Sequence, residues 1–365
     1  MVECAAFAYN NIAPGGQAPT TCAEVAEEAG KPAKGEQAGM TDGLNVLSTF
    51  QFSSASQKVL QDAAHTKVVC STNTEEFLSR LRYAEVLCSY WIPDNWRDIA
   101  PRLRWLQVSG AGVDGLQSTG ILAASSGIKI TTAIGIHANT IGEYVFGSML
   151  MFNRTWPEMV RLQDRHVWPL SANWYKLGGR ELHEQTLGIV GLGSIGRRIA
   201  QLGKAFGMRV MATKRTIHED RPDEDVDEFY TLSRLHDMLR QSDYVVLAVP
   251  LTAETDGMIG EAELRAMRPH TYLVNIARGR IIDEEMLIRA LREGWIGGAG
   301  LDVTQREPLP PDSPLYAMPN VILTPHISGD SVHYDRRLTD LFADNLRRYL
   351  AKEPLRNMYD PIRGY

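Results

Sequence analysis

Cysteine is scarce in this chain: four in 365 residues, Cys4, Cys22, Cys70 and Cys88, all in the first quarter and with no CxxC or Cys/His metal spacing. That argues against a disulfide scaffold, and a reduced, cytoplasmic setting is expected. The eight histidines other than His326 show no i,i+4 pairing with a carboxylate, so no metal site is expected either. Excess positive charge is also missing. Lys and Arg number 38 against 44 Asp and Glu, a formal net charge of -6, so no broad basic face for nucleic acid is expected. The longest apolar run, around Tyr144 to Phe152, is interrupted by Gly147 and falls short of the roughly 20 residues of a membrane span. No basic segment precedes the short apolar stretch behind Glu3, so neither secretion nor membrane attachment is expected.

What remains is an ordinary globular composition, 44% hydrophobic and 22% charged, at a length beyond the roughly 250 residues where single cores stop growing. Two domains, and hence a cleft, are expected. Residues 1–42 are rich in Ala, Gly, Glu and Pro, a composition that cannot bury a core, and are expected to be an extension, disordered unless pinned. From Leu44 a rhythm begins. Short strand-like runs at Val46 to Phe50, Val68 to Cys70, Val86 to Ser89, Trp105 to Val108 and Ile128 to Thr132 alternate with helix-like stretches such as 57–64 and 75–81. A long apolar helix follows from about Thr140 to Asn153, with Asn139 or Thr140 placed to cap it. The aromatic segment holding Trp156, Trp168, Trp174 and Tyr175 fits neither period. A second alternation has strand candidates at Thr186 to Val190, Arg209 to Thr213, Tyr244 to Val249, Thr271 to Asn275, Gly298 to Leu301 and Val321 to Leu323. A last helix, about Tyr334 to Leu350, lies past the final strand and can return to the first domain. The expected fold class is α/β: two Rossmann-like or flavodoxin-like domains with parallel sheets and an active site in the cleft between them. Their expected extents are 43–139 with 330–365 for substrate, and 140–329 for a dinucleotide.

Gly191-Leu192-Gly193-Ser194-Ile195-Gly196 is a G-x-G-x-x-G between an apolar strand and a helix, about Ser194 to Phe206. A bare match also describes a tight turn. Between strand and helix, however, such glycines allow a sharp turn, backbone approach to a pyrophosphate and close helix packing. NAD-binding units usually end the second strand in an acidic residue that bonds the ribose 2′-hydroxyl. Here that strand ends in Lys214-Arg215-Thr216. Cations there favour a 2′-phosphate, so NADP is the expected cofactor and NAD the alternative.

Three further residues sit just past strand ends, where open parallel sheets bind ligands. Arg278 follows the run ending at Asn275, Asp302 follows Leu301, and His326 follows Leu323. A guanidinium forks onto a carboxylate, which suits Arg278 as anchor for a 2-oxo or 2-hydroxy acid. Hydride arriving at a carbonyl carbon leaves an oxyanion that needs a proton. His326 is the candidate acid, and a neighbouring carboxylate such as Glu307 would raise its pKa and keep it charged. Taken singly, each also reads as a plain surface or loop residue.

The combination of Ser109-Gly110-Ala111-Gly112-Val113-Asp114, the segment from Gly135 to Glu143, the glycine loop, Val249-Pro250-Leu251-Thr252, Asn275 to Gly279, Leu301-Asp302-Val303, Glu307-Pro308-Leu309 and Thr324-Pro325-His326 resembles the D-isomer-specific 2-hydroxyacid dehydrogenases. The likeness runs from about Leu44 to the C-terminus. It implies reduction of a 2-oxo acid to a D-2-hydroxy acid, with Arg278 on the substrate carboxylate, Glu307 paired to His326, and His326 as acid/base. It also implies substrate contacts from the backbone at Ala111 and Gly112. Implied cofactor contacts come from Gly191, Gly193, Ser194, Ile195, Val249, Pro250, Ala277, Asp302 and His326, beside Lys214, Arg215 and Thr216, and a homodimer is implied too. Two departures stand out: the cations in place of the acidic residue, and the extension 1–42, which has no family counterpart. Formate dehydrogenases of similar fold carry glutamine where Glu307 stands. The rival of another class is a cofactor-sensing interaction protein resembling the C-terminal-binding-protein corepressors.

Overall fold

The computed structural model describes residues 43–170, 177, 179–215 and 223–364. The extension 1–42, Trp174, Tyr175 and Thr216 lie outside the described residues. Contacts group the chain into two units, one from residues up to 136 together with 332 onward, the other 137–331. In chain order the first stretch holds β1 (Val46–Ser48), α1 (Ser54–Ala64), β2 (Val68–Cys70), α2 (Thr74–Leu81), β3 (Val86–Cys88), α3 (Trp96–Ile99), β4 (Trp105–Gln107) and β5 (Lys129–Thr131). The next holds α4 (Ala138–Asn153), α5 (Trp156–Asp164), β6 (Thr186–Val190), α6 (Ser194–Ala205), β7 (Arg209–Thr213), β8 (Glu228–Tyr230), α7 (Leu235–Leu239), β9 (Tyr244–Leu247), α8 (Glu261–Ala266), β10 (Tyr272–Asn275), α9 (Glu284–Glu293), β11 (Gly298–Leu301) and β12 (Val321–Leu323). The chain closes with α10 (Tyr334–Leu350).

The first unit is a five-stranded parallel sheet in the order β2-β1-β3-β4-β5. Alternation sorts its side chains onto two faces. Val46, Val86, Cys88 and Trp105 face one layer, and Leu47, Leu87, Leu106 and Ile130 the other. The first layer is closed by α10, whose Leu338, Phe342 and Leu346 recur every four residues and are fully buried. One buried polar side chain of this helix is paired across the layer: Asn345 donates to Gln107 Oε1 at 3.2 Å. Side chains start the helices, with Ser53 accepting from the Ser56 amide at α1 and Asn73 from the Glu76 amide at α2.

The second unit is a seven-stranded parallel sheet in the order β12-β11-β10-β9-β6-β7-β8. Both faces are apolar, as a parallel sheet covered on both sides requires. Leu187, Ile189, Val210 and Ala212 belong to one layer, Val190, Met211, Val245 and Leu247 to the other. The order reverses between β6 and β9, and at such a reversal a crevice opens beyond the carboxyl ends of the strands.

Three local expectations need correction. The aromatic segment is partly helical: α5 runs from Trp156 with Pro157 in its first turn and buries no residue, so it carries no core-facing stripe for periodicity to reveal. Neither Asn139 nor Thr140 caps α4. The helix starts two residues earlier with His137 as N-cap and no side-chain cap bond, which places both inside the first turn. The edge strand β8 was absent from the expected set because three residues, Glu-Phe-Tyr, are too few to show alternation.

Candidate active site

The glycine loop joins β6 to α6. Gly191 has φ +99, and a Cβ on it would meet Val249 Cγ1 at 2.6 Å and the Ala248 carbonyl oxygen at 2.7 Å. Its N–H donates to Thr213 Oγ1 at 2.9 Å, tying the loop to the end of β7. A Cβ on Gly196 would lie 2.1 Å from the Gly191 carbonyl oxygen, so the helix can start against the loop only with glycine there. Around Gly193, by contrast, nothing lies within 4 Å of an added Cβ. Gly193 is the N-cap of the 12-residue α6 and makes no side-chain cap bond, and Gly193 and Ser194 are exposed. Open backbone at a helix N-terminus is the form that receives a pyrophosphate. These residues fit a dinucleotide.

Past β7, the Lys214 amide donates to the Tyr230 carbonyl at 2.9 Å, while its ammonium lies 5.5 Å from the centre of the Phe229 ring. Arg215 reaches Glu254 Oε2 at 3.9 Å, both side chains being largely exposed. Exposed pairs of this kind contribute little, so a phosphate can displace the carboxylate. Glu254 was not singled out in the sequence, because only the fold brings the loop after β9 beside the end of β7. Val249 and Pro250 stand at the start of that loop, Val249 half-buried and Pro250 exposed.

Arg278 follows β10 in a turn shaped by Asn275. The Asn275 amide donates to the Arg278 carbonyl at 2.9 Å and accepts from the buried Ala277 N–H at 3.0 Å. One guanidinium nitrogen of Arg278 donates to the Ala277 carbonyl at 2.7 Å. Glu307, in the loop after β11, accepts from the Thr304 amide at 3.1 Å through Oε1. Its other oxygen lies 2.8 Å from His326 Nδ1.

Electrostatics couples the three. Burial pushes the Glu307 carboxyl up, but the hydrogen bond and charge of His326, the Thr304 N–H and the charge of Arg278 together hold it below the usual range. The Glu307 hydrogen bond lifts His326 above ordinary imidazole against burial, with Arg278 acting downward and Asp302 upward. The charge of Arg278 thus reaches both partners.

His326 sits at φ +57, a left-handed conformation uncommon outside glycine. Asp302 holds it there. Asp302 is 2% exposed; Oδ1 accepts from Thr324 Oγ1 at 2.6 Å and the Ile327 amide at 2.9 Å, and Oδ2 from the Ser328 amide at 3.0 Å. The His326 amide donates to the Asp302 carbonyl at 2.8 Å. Tyr144 on α4 extends the chain, its hydroxyl 2.7 Å from Thr324 Oγ1. Three of this carboxylate's acceptor positions therefore go to the histidine loop. Thr324 and Tyr144 had no sequence signal beyond a hydroxyl beside Pro325 and an aromatic in an apolar helix.

Arg278, Glu307, His326, Asp302 and the glycine loop all lie at the carboxyl ends of one sheet. Ala111 and Gly112 belong to the other unit, half-buried between β4 and a short turn at Asp114–Thr119. Beside them a Cβ on Gly110 would meet Tyr90 Cε2 at 2.8 Å. Trp91 packs instead with Phe77, ring centres 5.2 Å apart. Among the described residues no group of three or more His, Cys, Asp or Glu could hold a metal, and no helix is long and apolar enough to cross a membrane.

A family model described as D-isomer specific 2-hydroxyacid dehydrogenase, NAD binding domain, matches residues 146–328. The chain is 37% identical over 249 residues to a glyoxylate reductase of Korarchaeum cryptofilum (strain OPF8), covering 68% of this chain and 74% of that protein. Among solved structures, a D-isomer specific 2-hydroxyacid dehydrogenase from Xanthobacter autotrophicus Py2 in complex with NADPH and MES is similar with a TM-score of 0.76 and 29% identity, over 88% of this chain and 100% of that one. An NADPH-dependent glyoxylate/hydroxypyruvate reductase from Sinorhizobium meliloti in complex with NADP and sulfate gives a TM-score of 0.75 and 25% identity, over 88% and 100%.

Proposed function

The chain belongs to the D-isomer-specific 2-hydroxyacid dehydrogenase family, and on that premise we propose that Arg278, Glu307 and His326 carry out the reduction of a small 2-oxo acid by NADPH to the D-2-hydroxy acid. The observation that carries the reading is the 2.8 Å His326–Glu307 contact with the charge of Arg278 acting on both partners. Bound nicotinamide supplies hydride to the carbonyl carbon. Arg278 holds the substrate carboxylate, and the backbone at Ala111 and Gly112 is assigned to that group by family resemblance. His326 gives its proton to the carbonyl oxygen as the new C–H bond forms; in the reverse direction it takes that proton back. Glu307 keeps the imidazole protonated until then. A panel of 2-oxo acids assayed with NADPH tests this: turnover of none would refute it. The corepressor-like alternative is not favoured, since the relatives are reductases.

The pairing has a signed pH consequence. His326 is raised, so the protonated donor persists at pH values where free imidazole, near ~6.5, has lost its proton. Reduction then falls as pH rises through the raised value, and oxidation climbs. In Glu307→Gln the leading cause of that rise is gone, so the alkaline fall of reduction moves to lower pH. At pH 8 the rate should drop about tenfold or more, part of the ~10²–10⁴-fold that a positioned acid supplies. An unchanged kcat/KM profile would contradict the pairing.

Lys214 and Arg215 are assigned to the 2′-phosphate. Charge-assisted bonds contribute on the order of 1.5–3 kcal/mol each, so Lys214→Ala with Arg215→Ala should raise KM for NADPH by tens- to hundredfold and leave that for NADH nearly unchanged. A wild-type preference for NADH would sink the assignment. Thr216 was expected beside them and lies outside the described residues.

A homodimer is proposed for the exposed apolar stretch around α5, where Trp156, Val160, Val167, Trp168 and Leu170 are 49–86% exposed. The free thiols of Cys70 and Cys88 suit a cytoplasmic location. Recovery from the cytoplasmic fraction, sedimenting at about twice the 40.7 kDa chain mass, would support both. A monomer, or a form that pellets with membranes, would remove the one it contradicts.

A further inference from the structure

We infer that the seven-stranded unit carries a second anion site, built for a small carboxylic acid, at the amino ends of its strands. β9 and β10 begin at Tyr244 and Tyr272, so Asp243 and His270 lie on the rim opposite to Gly191, Arg278 and His326. There they line a cleft of about 380 Å³ with Phe152 and Asn153 from the end of α4, and with Arg180 and Tyr244. The volume is at the small end of the ~300–1,000 Å³ range of small-molecule sites.

Two of the side chains lining it, Asn153 and Arg180, carry donors. Asn153 is 5% exposed; its Oδ1 accepts from the Tyr244 hydroxyl at 2.5 Å, and its buried Nδ2 has no partner among the described residues. A buried donor left unpaired is costly, and an acceptor from outside the protein would relieve it. The Arg180 amide donates to the Asn153 carbonyl at 3.1 Å, which brings both side chains to one wall. No carboxylate among the described residues pairs with Arg180, and its charge reaches the Tyr244 phenol.

Asp243 is paired with other partners and makes no ion pair with Arg180. Oδ1 accepts from Arg268 at 2.9 Å and faces His270 Nε2 at 2.7 Å, and Oδ2 accepts from the Thr186 amide at 2.8 Å. Arg268 is thus paired with this carboxylate, while Arg180 has no carboxylate partner among the described residues. A carboxylate forks onto a guanidinium and still offers lone pairs to an amide donor, while Phe152 gives an apolar wall for a short carbon chain. The mechanism above uses none of these residues.

The test is calorimetric titration of malonate into Arg278→Ala protein, which lacks the carboxylate anchor of the catalytic rim. Saturable binding at millimolar or lower concentration is expected, weakened at least tenfold when Arg180→Ala is added. Because Arg180 is exposed, that variant should fold. In parallel, the Asn153 side-chain amide resonance of ¹⁵N-labelled wild-type protein should move on titration. Absence of binding, equal binding with and without Arg180, an unmoved Asn153 resonance, or a preference for inorganic phosphate over malonate would each overturn the assignment.

Discussion

His326→Ala lowers kcat for 2-oxo acid reduction by about 10²–10⁴-fold, the range that a positioned general acid supplies, and leaves the dissociation constant for NADPH within about twofold. On the proposed mechanism the oxyanion left by hydride addition takes a proton, and the imidazolium favoured by the Glu307 contact is its donor. On the proposed reading NADPH affinity is spread over the glycine loop, the start of the loop after β9 and the cations past β7, and His326 is one contact among many. Position 326 is left-handed at φ +57, where alanine is strained and asparagine is better tolerated. His326→Asn therefore separates chemistry from loop geometry, and it should be as inactive as the alanine variant. Stopped-flow turnover together with a fluorescence titration of NADPH decides the matter. If either variant kept turnover within tenfold of wild type, His326 would not be the proton donor.

The strands were legible because a parallel sheet covered on both faces needs unbroken apolar runs. Those of β6, β9 and β10 are four or five residues long and entirely buried. Residues placed straight after such runs, Arg278, Asp302 and His326, could be found by position alone, since strand ends converge on one rim. Partnerships across the sheet were not legible. Nothing local in Tyr144 or Thr324 signals the path of hydroxyls to Asp302, because those residues are 180 and 22 positions apart from their partners. Asp302 was assigned to the cofactor by resemblance, and no local signal showed that its buried oxygens also hold the backbone of the histidine loop. A role for a carboxylate depends on which amides the fold turns towards it, and that is fixed by tertiary structure. Likewise α5, with no buried face, left no periodic trace.

Arg278→Ala should reduce kcat/KM by about 10²–10⁴-fold, because a forked guanidinium–carboxylate pair involves two charge-assisted bonds of roughly 1.5–3 kcal/mol each. Arg278→Lys keeps the charge as a point and loses the fork, so it should fall between alanine and wild type. Loss of affinity alone would not distinguish an anchor from a residue that merely supports the loop. The charge of Arg278 gives a separate test, of its coupling to the proton donor. It bears on both members of the acid pair and disfavours protonation of His326, so its removal is expected to raise the pKa of the imidazole. The alkaline fall of reduction should accordingly move to higher pH in Arg278→Ala, opposite in sign to Glu307→Gln, while Arg278→Lys stays near wild type. Two substitutions that both slow the enzyme but shift its pH profile in opposite directions would place Arg278, Glu307 and His326 in one electrostatic unit. Shifts of the same sign, or none, would mean that Arg278 acts on the substrate without acting on the proton donor.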